Sequence, residues 1–259
     1  VAATVVCLLK GFLSYKVIVD RHSNFKFSTM ESKELKYKAF HFLSKYTIRR
    51  SDLTIVTNNH LKKIVEEWGG KGFVLQDKIP ELPLKERNQL KGWRNLVFIS
   101  SFAEDEPVQE VIEAAKTLDQ NICLYITGNY KKADEQLIKN APTNVIFTGY
   151  LPENNFQSLI YSADILITLT TLELTLLCSA YEGVSLHKPL IISNKEALKE
   201  YFYKGVVVTR NERHEIARSI QIAINEYDNL KAQITELSKE LKKDWDIRFN
   251  NLNTIIEKI

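Results

Sequence analysis

The chain has 259 residues, 44% hydrophobic and 26% charged, with a formal net charge of +3. That length holds two modest domains or one large one, and the composition is that of a folded chain with a sizeable core. So small a positive excess gives no reason to expect nucleic acid as a partner.

The chain opens on Val1, without Met, inside an apolar run. Residues 1–9 are too few for a membrane span and lack the basic start and cleavage site of a signal peptide. They read as the end of a buried helix. Because an N-terminus seldom falls inside a core element, a segment is expected upstream and the N-terminal sheet is expected to be incomplete. Residues 16–20 (KVIVD) form a short β-branched strand, residues 31–50 a helix, residues 53–57 (LTIVT) a second strand. A helix over 60–68 stops at Gly69-Gly70, and residues 73–75 form a third strand. Residues 80–93, with Pro80 and Pro83, read as a linker.

Beyond the linker the alternation is regular. Strands are expected at 95–99, 122–126, 145–147, 165–169, 189–192 and 205–208. Helices are expected at 107–118, 132–140, 154–162, 176–186, 197–202, 213–226, 229–242 and about 245–259. Continuous apolar strands between amphipathic helices mean parallel sheets covered on both faces, wound right-handedly. Ligands in such sheets lie at the carboxyl ends of the strands. The cysteines, Cys7, Cys123 and Cys178, lie far apart in apolar runs and define neither a disulfide framework nor a zinc site. They read as buried thiols in a reducing, cytoplasmic setting.

One stretch carries the chemistry: residues 162–194, SADILITLTTLELTLLCSAYEGVSLHKPLIISN. The strand ILITL feeds a turn and a helix whose N-terminus offers unpaired N–H groups to a diphosphate. This arrangement resembles the donor site of GT-B glycosyltransferases, especially the retaining family-four (group 1) type. There a strand leads to a glutamate, a glycine-rich turn, a helix with a second glutamate, and a closing Gly-x-Pro before the next strand. Glu182, seven residues before Pro189, matches the second glutamate. The resemblance implies that it accepts hydrogen bonds from ribose hydroxyls, a task suited to a carboxylate. Glu173 is the counterpart of the first, which contacts the transferred sugar.

The sequence departs from the family at several points. Eight residues, rather than the usual seven, separate Glu173 from Glu182, and Leu174 stands at the expected position. Leu174, Thr175 and Leu176 replace the glycines, and His187-Lys188 replaces Gly-x before Pro189. The family's Arg and Lys that clamp the diphosphate are absent from SSFAEDEP, residues 100–107. The phosphates are then left to backbone N–H groups, to hydroxyls of Ser100, Ser101, Thr170 or Thr171, or to a base from elsewhere, with Lys188 and Arg210 as candidates. Leu174, Thr175, Tyr181 and Gly128 complete the donor-binding set that the resemblance implies. Gly128 reads equally as part of a tight turn. Asp105 and Glu106 read as a cap and first-turn acid for the following helix, or as catalytic groups.

Two further features lie in the N-terminal part. Asp20, His22 and Ser23 follow a strand, where polar side chains emerge at the ligand edge. His22 is a candidate for touching acceptor or donor sugar, and Asp20 for a general base if the reaction inverts. A structural capping role is the competing reading. Residues 26–50 hold seven Lys or Arg against Glu31 and Glu34, interleaved with aromatics. They read as a solvated face, or as a peripheral contact with the inner face of a membrane bearing a lipid-linked acceptor.

The expected architecture is therefore α/β, GT-B, with two doubly wound Rossmann-like domains. The first, acceptor-side domain spans residues 1–84 and is partial. The donor domain spans 85–240, and a C-terminal helix, 241–259, returns to the first domain. The expected function is transfer of a sugar from a nucleotide-sugar donor to a saccharide or lipid-linked acceptor, in surface polysaccharide or glycoconjugate synthesis. No separate cofactor and no metal are expected. The competing reading is a non-catalytic relative that binds nucleotide or glycan, or serves as a partner subunit. No GxGxxG appears, which argues against a dinucleotide cofactor.

Overall fold

A computed structural model describes residues 2–22, 25–83 and 86–259. Ser23 and the expected domain boundary between 84 and 85 lie outside the described residues. The chain forms two compact units, Val1–Lys78 with Lys242–Ile259, and Ile79–Leu241.

The first unit holds a parallel sheet of β1 (Ile18–Asp20), β2 (Leu53–Val56) and β3 (Gly72–Val74), in that order. Helix α1 (Ala2–Leu9) packs on α2 (Leu35–Arg50), where Thr4 and Thr47 share a hydrogen bond of 3.0 Å. Helix α3 (Asn59–Glu67) packs on β2 and β3. Asn58 caps it by accepting from the Leu61 N–H at 2.9 Å, and Gly69, at φ +85°, ends it. Only one side of α1 is buried, through Thr4 and Cys7; Val5, Val6, Leu8 and Leu9 are exposed. The helix, expected to be buried, is thus buried on one side. Helix α2 starts at Leu35, the first of its apolar positions, four residues later than the expected 31.

The second unit is built on a six-stranded parallel sheet. Its strands are β4 (Arg94–Phe98), β5 (Ile122–Thr127), β6 (Val145–Gly149), β7 (Ile165–Thr168), β8 (Leu190–Ser193) and β9 (Val206–Thr209), in the order β6-β5-β4-β7-β8-β9. This is the doubly wound order, with its switch point between β4 and β7. Side chains alternate between two cores. Leu96, Phe98, Leu124, Ile126, Ile165 and Ile167 pack beneath α4 (Val108–Ala115) and α9 (Arg213–Asn225). Val97, Tyr125, Leu166, Leu190 and Ile192 pack beneath α6 (Glu153–Ser162), α7 (Cys178–Ser185) and α8 (Glu196–Tyr201). Each buried Leu or Ile contributes about 1.5–3 kcal/mol, which is why the strands are uninterrupted apolar runs. A short helix, α5 (Glu135–Lys139), links β5 to β6. It covers only part of the expected 132–140, because Asp134 caps it late by accepting from Gln136 and Leu137.

Two expectations are corrected. Residues 229–259 form not two helices but one, α10 (Tyr227–Lys258), 32 residues long. No Gly or Pro interrupts this stretch, and Lys242 and Lys243 are good helix formers. Cys178, expected to be buried, is exposed at the start of α7, whereas Cys7 and Cys123 are buried. The segment expected as a linker has no regular element among its described residues, yet it is tied down. Ser185 Oγ donates to the Pro80 carbonyl at 2.6 Å, and the Lys91 N–H donates to Tyr125 Oη at 2.9 Å.

Candidate functional site

The carboxyl ends of β4, β5 and β6 converge on a cleft of about 280 Å³, lined by Ser100, Ser101, Gly128, Lys132, Tyr150 and Phe156 among others. Gly128 sits at φ +91°, and a Cβ there would overlap the Ser100 carbonyl oxygen, so glycine is required for β4 and β5 to close up at the cleft floor.

Of the hydroxyls proposed to hold phosphate, those of Ser100 and Ser101 line the cleft and those of Thr170 and Thr171 do not, and most are already engaged. The Glu106 carboxylate accepts from Ser100 Oγ at 2.6 Å, from the Ser101 N–H at 2.9 Å and Oγ at 3.2 Å, and from the Ala103 N–H at 3.1 Å. Thr170 Oγ1 donates to Asp105 Oδ2 at 2.8 Å, and the Thr171 N–H to the Asp105 carbonyl at 2.7 Å. Among the described residues neither carboxylate bonds to the first turn of the following helix, although the Glu106 carbonyl accepts from its first N–H, that of Val108, at 2.8 Å. On the far side, the Thr170 N–H donates to Ser193 Oγ, and Asn211 Nδ2 to the Thr170 carbonyl.

Glu182 lies within α7, packed against β7 and β8. Gly183, next to it, is needed for that packing: a Cβ there would overlap Leu190 Cδ2. Burial, and secondarily the neighbouring Glu153, push the Glu182 carboxyl up to about 7. The residue is half-buried, and the structure shows no hydrogen bond to its carboxylate among the described residues. Glu173 is exposed in the loop after β7 and pairs with Lys195, Nζ to Oε1 2.5 Å. Leu174 and Thr175 are half-buried in the same loop. Helix α7 begins only at Cys178, so its N-terminus is not adjacent to Thr171. Tyr181 faces the core, its ring 5.5 Å from Tyr201 and 5.3 Å from Phe202.

The candidate bases separate. Lys188 is buried at the amino ends of the strands and donates to the Tyr161 and Ala163 carbonyls at 2.7 and 2.6 Å. Burial lowers its pKa to about 8. It is thus a buried tie at the sheet edge opposite the cleft. Arg210 is exposed after β9. Two lysines that the motif reading passed over stand at the carboxyl edge: Lys132, whose Nζ donates to the Ser101 carbonyl at 3.0 Å, and Lys195. Neither belongs to a recognisable motif. His187 adopts φ +53°, a left-handed conformation that glycine adopts at less cost.

In the first unit, Asp20 and His22 do meet at the end of β1. His22 Nε2 lies 2.7 Å from Asp20 Oδ1, and its Nδ1 lies 3.1 Å from Asp77 Oδ1. The hydrogen bond to Asp77 leads in raising the imidazole pKa, opposed by burial and supported by Asp20. Asp77, a lone acid after β3, gives no sequence signal. No group of three or more His, Cys, Asp or Glu side chains able to hold a metal exists among the described residues. The chain's one Asp-x-Asp, Asp244 and Asp246, lies inside α10, where Asp244 pairs with Arg248 at 2.5 Å. Residues two apart on a helix do not face each other.

Residues 84–241 match the family described as Glycosyl transferases group 1. The match covers more than half of the chain, and the chain belongs to this family. Solved structures share its fold, that of GT-B glycosyltransferases. Sucrose-phosphate synthase from Thermosynechococcus elongatus is 14% identical at a TM-score of 0.78, covering 99% of this chain and 71% of that one. Anabaena HepE in complex with UDP-glucose is 11% identical at 0.75, covering 98% and 76%. A glycosyltransferase from Rickettsia africae is 12% identical at 0.68, covering 99% and 80%. No curated protein matched in sequence. No described helix is long and apolar enough to cross a membrane.

Proposed function

We infer that this chain transfers a sugar from a nucleotide-diphosphate-sugar donor to a saccharide or lipid-linked acceptor, in surface polysaccharide or glycoconjugate synthesis. The observation that carries the reading is Glu182, a half-buried carboxyl on α7 without a hydrogen bond from the described residues, its pKa raised to about 7 by burial. Vicinal ribose hydroxyls are the donors such a group lacks. The likeness to HepE, solved with UDP-glucose, makes uridine nucleotides the first donors to try.

In the transfer, the bond between the anomeric carbon and the diphosphate oxygen breaks, and the acceptor oxygen bonds to that carbon. The acceptor proton passes to the leaving phosphate, or to Asp20 if the reaction inverts. Glu173 contacts the transferred sugar, and His22 the sugar or the acceptor. Residues 85–240 serve the donor and 1–84 the acceptor, with 241–259 returning to the first domain. The protein works in the cytoplasm without a metal ion. Residues 26–50 rest on the inner face of a membrane, where Leu35 and Phe42 are exposed among the lysines.

A second reading, a non-catalytic relative that binds nucleotide or acts as a partner subunit, is favoured by the acids that fill the β4 and β7 turns. Incubation of the protein with UDP-sugars separates the two. Release of UDP, lost in Glu182→Gln, supports transfer; nucleotide binding without release supports the second reading.

A further inference from the structure

An imidazole has two ring nitrogens, and the partner of one decides what the other can do. In His22, Nε2 faces Asp20 at 2.7 Å and Nδ1 faces Asp77 at 3.1 Å. These two acids are the charged groups that act on the ring. Neighbouring Arg21 donates to Ser44 Oγ at 3.2 Å and lies over the Phe25 ring, and Thr57 Oγ1, after β2, lies 3.5 Å from the His22 carbonyl oxygen. The two acids are not held alike. Asp20 has 63% of its side chain accessible and Asp77 46%. Residues on both sides of Asp77 are tied to one indole. Trp245 Nε1 donates to the Gln76 carbonyl at 3.0 Å, and the Lys78 ammonium lies 5.2 Å from the centre of the Trp245 ring. Trp245 is itself stacked on Phe249, ring centres 4.8 Å apart, and the Leu75 N–H extends the β3 ladder onto the Val56 carbonyl at 2.9 Å. Asp77 is thus the anchored acid and Asp20 the one more open to solvent.

We propose that Asp77, itself held by Trp245, is the positioning residue for His22: it fixes the ring through Nδ1 and presents Nε2–H to the ligand, whose oxygen takes the place of Asp20. The proposal rests on the reading of His22 as a contact to the sugar or the acceptor. An ionised carboxylate only accepts, so the nitrogen that faces Asp20 carries a proton, and a ligand hydroxyl oxygen accepts from the same N–H. The exchange releases the Asp20 carboxylate, which is the group that takes the acceptor proton if the reaction inverts. The direction of the ring's titration agrees with this division. The hydrogen bond to Asp77 is the largest cause of the raised imidazole pKa, with burial opposing it and Asp20 supporting it. Trp245 acts at one remove, through the segment that carries Asp77, and touches neither acid in the proposal.

Two readouts on the full chain test this, in the wild type, Asp77→Asn and Trp245→Phe: the titration of His22 followed by NMR, and the pH profile of UDP release at saturating UDP-sugar. In the wild type, release falls as pH rises through the His22 titration, because the donated proton is lost. In Asp77→Asn the His22 titration moves to lower pH and the fall in release moves with it. The variant then matches the wild type in acid and lies about tenfold below it at pH 8, the loss of one charge-assisted hydrogen bond. Trp245→Phe, which keeps a ring and loses the N–H, moves both in the same direction by less; if it does not fold, Asp77→Asn decides alone. A His22 titration that Asp77→Asn does not move overturns the proposal. So does a titration that moves while the fall in release stays where it was, and so does release that rises with pH through the His22 titration. If the wild type releases UDP from no UDP-sugar, the transfer reading fails and the NMR arm decides the positioning: a shift in Asp77→Asn upholds it, and no shift overturns it.

Discussion

The carboxylate of Glu173 lies 2.5 Å from the ammonium of Lys195, across the turns that follow β7 and β8. Glu173 is two-thirds exposed, with 67% of its side chain accessible, so the pair adds no more than about 1 kcal/mol to stability. In the proposed function the pair aims an acid from the turn after β7. Glu173→Gln is expected to leave the melting temperature and nucleotide affinity nearly unchanged. Turnover of the donor should fall about ten- to a hundredfold, the loss of one charge-assisted hydrogen bond to the sugar. Equal turnover in the variant would remove Glu173 from the sugar site.

If Glu182 holds the ribose as proposed, both stability and nucleotide binding are expected to depend on pH. Its folded pKa of about 7 stands above the ordinary carboxylate value. A raised pKa gives stability that is present below the unfolded value and is lost as pH rises through 7. Glu182→Gln should therefore match the wild type near pH 4 and exceed it at pH 8, by up to roughly 3 kcal/mol. Chemical denaturation at the two pH values reads this directly. Nucleotide affinity should rise with pH through 7, as the carboxyl ionises and accepts from both ribose hydroxyls; a flat profile would contradict that role.

His22 is held between two acids, so both ring nitrogens donate and the imidazolium is favoured. Its contribution to stability is present below the ordinary histidine pKa and is lost as pH rises through the raised value. Asp77→Asn should lower the pKa of His22, followed through its ring proton shifts by NMR. Asp20→Asn should lower it less, because Asp77 is the larger cause. A His22 titration that neither substitution moves would show that the geometry does not govern its charge.

Metal removal gives a further check. With no cluster of metal-binding side chains among the described residues, any turnover should survive excess EDTA. Loss of activity restored by magnesium or manganese would mean that an ion takes the place of the missing Arg and Lys.

The sequence made the strands legible because parallel strands buried on both faces must be apolar throughout, as in Ile122–Thr127. It also marked the switch-point turns, since Ser100, Ser101, Thr170 and Thr171 follow such runs. Helix ends were less legible: α10 runs on where two helices were expected, because no residue there stops it. Asp77, Lys132 and Lys195 were missed because each is a single charged residue in a turn, placed by the topology and not by any motif. The destination of the Glu106 carboxylate depends on the left-handed turn at Phe102, which an ordinary Phe does not announce.

The most direct test of the account is calorimetric titration of the full chain with nucleosides and their diphosphate sugars, UDP-glucose first, at pH 8, comparing wild type with Glu182→Gln. The account predicts binding by the wild type and a loss of about ten- to a hundredfold in the variant, which keeps the shape of the side chain and removes its charge. Binding that is unaffected by Glu182→Gln, or no binding of any common nucleoside or nucleotide sugar, would contradict it.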